Sequence, residues 1–101
     1  MKYVVLWETD YSKLPSDPKE SGAILMKLLE MTKQWLKSKP GSEWGLFIGE
    51  GKGYSLAEGD PNEVMKNTFM FSPYVKFKVY QAASIDEWEE TLKSMMAMMQ
   101  K

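Results

Sequence analysis

The 101-residue chain contains no cysteine and no histidine. The first absence removes disulfide staples, thiolate nucleophiles and sulfur-ligated metals. The second removes the commonest general base and the commonest metal ligand. No excess of charge of one sign replaces them. Thirteen basic residues face fourteen acidic ones for a net charge of −1, so no global field draws the chain to nucleic acid or to an anionic membrane. The carboxylates are scattered, and neither a metal nor a cofactor is expected. No apolar run is long enough to span a bilayer and no signal-peptide pattern opens the chain, so the expected location is the cytoplasm. Low-complexity segments and linkers are absent as well, and residues 1–101 read as a single domain.

What is present is an ordinary globular composition, 44% hydrophobic and 27% charged. A chain of this length buries roughly two-thirds of its unfolded surface, enough for a core without staples. The organising stretch runs from Glu43 to Glu58. Trp44, Leu46 and Ile48 alternate with Gly45, Phe47 and Gly49, the period of a strand. Gly49, Gly51 and Gly53 then punctuate the chain with the residue that supplies positive φ in hairpin turns. Tyr54 to Ala57 resume an extended pattern. A phosphate-cradling reading of Gly-Glu-Gly-Lys-Gly would need a helix to follow, and these glycines lead into a strand.

On either side of this hairpin lie a helix and a further strand. Met1 to Thr9 reads as a strand with Tyr3, Val5 and Trp7 on one face and Val4 and Leu6 on the other. Asp17-Pro18-Lys19-Glu20 opens a helix as cap, first-turn proline and capping box. Its apolar residues, from Ile24 to Leu36, recur at three- and four-residue spacing, and Pro40-Gly41 closes it. Asp60-Pro61-Asn62-Glu63 repeats the same start for a shorter helix that ends before Pro73. Val75 to Ala82 is the last strand, with Val75, Phe77 and Val79 on one side and Lys76, Lys78 and Tyr80 on the other. Ser84-Ile85-Asp86-Glu87 is a third capping box. It opens a helix whose apolar side carries Ile85, Trp88, Leu92, Met95, Met96 and Met99, suited to docking partly on a partner subunit.

The order β-α-β-β-α-β plus a C-terminal helix predicts an α+β, ferredoxin-like sandwich: one antiparallel sheet with helices on one face. With Val4, Leu6, Val75, Phe77 and Val79 facing the helices, the open face carries Tyr3, Val5, Trp7, Lys76, Lys78 and Tyr80, joined by Phe47 or else by Trp44. A water-facing sheet is normally polar, so this aromatic patch marks a homodimer face or a pocket for a small apolar ligand. Tyr3, Val5, Trp7, Phe47 and Tyr80 are its candidate residues. Lys76 and Lys78 are candidate anion contacts, set against the protection of an edge strand from aggregation. Glu8, Glu50 and Glu58, near strand ends, are candidate proton handlers beside a pocket tyrosine, and they read more simply as solvated acids.

The element order, the length, the aromatic first strand and the Trp88-bearing helix resemble the dimeric α/β-barrel superfamily. Its members include muconolactone-isomerase-like proteins, small antibiotic-biosynthesis-type monooxygenases and stress-response barrels. Ala57-Glu58-Gly59-Asp60-Pro61 followed by Val75-Lys76-Phe77-Lys78-Val79 is similar to the strand-helix-strand half of small uncharacterised members. The resemblance implies that two copies pair their sheets into a barrel. It brings no catalytic motif, and the histidines some of its enzymes use are absent. Three functions follow as expectations: a homodimeric binding or accessory module without chemistry of its own, a cofactor-free isomerase or monooxygenase acting on a small apolar or aromatic molecule, and a single-stranded RNA binder. The last rests on Lys52-Gly53-Tyr54-Ser55-Leu56-Ala57, a partial echo of the third-strand motif of RNA-recognition modules, with Ser55 and Leu56 departing from it.

Overall fold

A computed structural model describes residues 1–100. The strands are β1 (Lys2–Thr9), β2 (Glu43–Leu46), β3 (Lys52–Glu58) and β4 (Val75–Ala82), and the helices are α1 (Pro18–Ser38), α2 (Pro61–Phe69) and α3 (Ile85–Met99). A single 3-10 turn, Tyr11–Lys13, follows β1. The four strands form one antiparallel sheet in the order β2-β3-β1-β4. The fold is α+β and compatible with the ferredoxin-like sandwich expected from the element order.

The helices begin where the capping chemistry places them. Asp17 accepts the Lys19 amide and Asp60 the Glu63 amide, each followed by a proline in the first turn. At α1 the expected capping box is not made, since Asp17 accepts the Lys19 amide rather than that of Glu20 and Glu20 returns no hydrogen bond to Asp17. At α3 the box is complete: Glu87 N–H donates to the Ser84 hydroxyl at 3.1 Å, and the Ser84 amide donates to the Glu87 carboxylate at 2.9 Å. These bonds satisfy amides that the helix itself leaves open.

The register sorts the sheet residues by face, because directly paired residues point the same way. Tyr3, Val5 and Trp7 pair with Ala57, Ser55 and Gly53 on one side and with Gln81, Val79 and Phe77 on the other. This face is covered. Tyr3, Val5 and Val64 of α2 form the buried cluster, with Phe77 packed against it. The expected open face is corrected accordingly. Tyr3, Val5 and Trp7 face the helices; Val4 and Leu6 share the uncovered face with Tyr54, Leu56, Lys78 and Tyr80. A strand that is apolar on both faces carries no internal mark of which face is which, and a one-residue shift exchanges the two sets.

The glycines also differ from expectation. Only Gly49 of the central three has positive φ, at 87°. Gly53 lies within β3, buried opposite Trp7.

Candidate functional site

The covered face does not close. α1 and α2 stand over the sheet and leave a half-open apolar cavity of about 650 Å³ between themselves and the strands. Its floor is built by alternation. On β1 every second residue points in, which brings Val5, Trp7 and Thr9 to the cavity. On β3 the same period brings in Ser55 and Ala57, which are small, and Gly53, which has no side chain. The roof is the apolar stripe of α1, including Leu25, Leu28, Leu29 and Trp35, with Val64 and Thr68 from α2. Phe71 and Phe77 meet edge to face with centroids 5.9 Å apart at one wall.

The best-defined feature is a tryptophan pair. Trp7 and Trp44 stack with ring centroids 5.1 Å apart and planes 10° from parallel. The Trp7 indole N–H donates to the Tyr54 carbonyl at 3.3 Å, which satisfies its polar edge. Gly53 makes this possible. A Cβ there would collide with the Gly45 backbone oxygen on β2 and lie 2.7 Å from the Trp7 ring, so glycine lets β2 and the indole both lie close against β3. Trp7, Trp35 and Trp44, three of the four tryptophans, line the cavity.

The chemistry of the lining is narrow. Its polar side chains are neutral: Thr9, Thr32, Gln34, Ser38, Ser55, Asn67 and Thr68. No aspartate, glutamate, lysine or tyrosine is among the lining residues. Ser55 is only 8% exposed, and it is the most deeply placed of the neutral polar groups. The two displaced carboxyls lie elsewhere. The Ser12 hydroxyl, with Lys76 beyond it, holds Asp10 below its usual value. The Ser84 backbone amide and hydroxyl hold Glu87 below its own.

The residues singled out in the sequence therefore divide. Val5 and Trp7 line the cavity, and Tyr3 is buried beside it in the core cluster. Phe47 and Tyr80 do not join them. Phe47 stacks on Tyr54 with centroids 6.2 Å apart, and Tyr80 is 54% exposed on the uncovered face. Lys76 and Lys78 point to that same face on the edge strand β4, with Lys76 paired to Asp10 at 3.6 Å. Glu8 and Glu58 are exposed, and exposed Glu50 pairs with Lys52 at 3.5 Å. Trp44, offered as the alternative to Phe47, is the hairpin residue that shares the face of Val5 and Trp7; Ser55 and Ala57 were not singled out as site residues. The alternation of small residues at Gly53, Ser55 and Ala57 was the available signal, since it marks the face that bulky groups approach.

No protein-family model matches the chain, and no curated protein matches it. Among the described residues no helix is long and apolar enough to cross a membrane.

Proposed function

We propose that the chain is a homodimeric binding module that holds a small apolar or aromatic molecule between its sheet and its helices, and that it performs no chemistry on that molecule. The observation that carries this reading is the cavity lining. Its volume falls in the range of about 300–1,000 Å³ typical of small-molecule sites. It offers a flat indole pair for stacking, an aliphatic roof and a few neutral hydrogen-bonding groups for orientation. It offers nothing that titrates, so a bound molecule meets no side chain suited to general acid–base work. The isomerase or monooxygenase alternative would need a proton handler brought by another chain.

The dimer belongs to the same reading. Val4, Leu6, Tyr54, Leu56 and Tyr80 give the uncovered face an apolar patch alongside Glu8, Lys52, Lys76 and Lys78, with Phe47 beside it, and a second copy related by a two-fold axis covers it as in a dimeric α/β barrel. The same aromatics would serve the RNA-binding alternative. Every basic residue of the chain is lysine, however, so the planar guanidinium that stacks and forks on nucleic acid is missing.

The test is a titration with naphthalene, a neutral aromatic probe, read by tryptophan emission. The expected result is saturable quenching that weakens by about tenfold or more in Ala57→Leu, which adds aliphatic bulk to the cavity floor. Equal binding by native protein, Ala57→Leu and Trp7→Ala would contradict the cavity reading.

A further inference from the structure

The helix α3 leaves the body of the molecule. Its first turn lies within electrostatic reach of Lys2 and the N-terminal amine, and beyond that none of its residues is buried. The chain measures 67 × 26 × 24 Å with a radius of gyration of 17.9 Å. A compact chain of this length would have a radius of about 13 Å. A lone helix of fifteen residues is marginal in water. Trp88 is nevertheless 52% exposed and Met99 80%. The apolar side of α3 has no cover in its own chain.

The pattern of that side says what fits it. Ile85, Trp88, Leu92, Met95 and Met99 step by three, four, three and four residues. Steps of three and four residues make the seam of a two-stranded coil, and Met96 and Met98 flank that seam with further apolar surface in the last turns. Asp86, Glu87 and Glu90 lie off the seam. Glu89 flanks it and is paired along its own helix with Lys93 at 3.2 Å. Two such seams meet without opposing like charges.

Area gives the second argument. Four strands about 4.8 Å apart and about 24 Å long present a face of roughly 450 Å², so two faces bury about 900 Å² in total. Stable pairs bury about 1,200–2,000 Å². Two helices about 22 Å long, meeting along faces about 10 Å wide, add roughly 440 Å² and bring the contact into that range.

We propose that α3 pairs with the α3 of a second copy, side by side and in register, as a short parallel two-stranded coil that extends the contact between the sheets. This rests on the dimer reading above. A two-fold axis running along the strands brings the same ends of both sheets together, and both α3 helices leave from that end.

The absence of cysteine provides a clean test. Met95→Cys places a thiol on the seam and Glu90→Cys places one on the outer side. Each full-length variant is oxidised mildly at a concentration where sedimentation shows the wild type to be dimeric. Met95→Cys is expected to cross-link about tenfold or more faster than Glu90→Cys, because seam residues are held in contact. A wild-type dimer in which the two variants cross-link at equal rates overturns the α3 pairing and leaves the dimer reading standing. A wild-type monomer overturns both.

Discussion

Gly53 shows how one residue sets the site. Glycine within a strand ordinarily costs stability, because the residue gives up more freedom than any other and packs nothing. Here its bare backbone is where the Trp7 ring lies, and the ring restores the missing packing. Gly53→Ala is therefore expected to destabilise the protein by about 1–3 kcal/mol in urea unfolding, as overpacking does. The near-ultraviolet circular dichroism of the stacked indoles should fall with it. A silent Gly53→Ala would mean that neither the Gly45 carbonyl nor the Trp7 ring presses on β3 at this position.

Asp10 and Glu87 give a second prediction at this scale. Hydrogen bonds to Ser12 and to Ser84 hold both carboxyls below their usual values. A carboxyl lowered on folding lends stability that is complete above its unfolded pKa and is lost as pH falls through the folded one. Melting temperature is thus expected to stay level from neutral pH to about 5 and to fall below about 4. Asp10→Asn and Glu87→Gln should each flatten the acid limb. A loss setting in between about pH 5 and 7 would be unexpected in a chain with no histidine.

At the scale of elements, capping chemistry and periodicity account for most of the agreement. The Ser84–Glu87 box stands at the start of α3, the Asp17 and Asp60 caps at the starts of α1 and α2, and β4 spans the expected Val75–Ala82. Such signals are local, so a sequence carries them whole. The faces of β1 were not legible, because Tyr3, Val5 and Trp7 are as apolar as Val4 and Leu6 and nothing in nine residues decides between them. The deciding information lay fifty residues away. Gly53, Ser55 and Ala57 leave room on one side of β3, while Tyr54 and Leu56 fill the other. Trp44 was legible as a strand residue, yet its stack with Trp7 depends on β2 lying one strand away across β3. One ion pair links the two helices: Lys39, which caps the end of α1, holds Glu63 in the first turn of α2. Both side chains are 38% exposed, so Lys39→Met is expected to cost less than about 1 kcal/mol of unfolding free energy. A larger loss would give that pair a structural weight its exposure does not suggest.

For the whole molecule, the thin core and the long shape belong together. Among the described residues Tyr3, Val5 and Val64 are the only buried hydrophobic ones, because the helices that would seal the sheet leave a half-open cavity instead. Exposed apolar surface lies on the uncovered sheet face and on α3, and also on α1 at Met26, on α2 at Met65 and Phe69, and at Ile48 in the hairpin. A chain arranged this way has apolar surface for two occupants, a small molecule inside and a second copy outside. Native mass spectrometry of the freshly purified full-length protein reports both at once. The account predicts a dimer of two 11.7 kDa chains carrying a small apolar molecule that is released on denaturation. A bare monomer that also fails to take up naphthalene would contradict it.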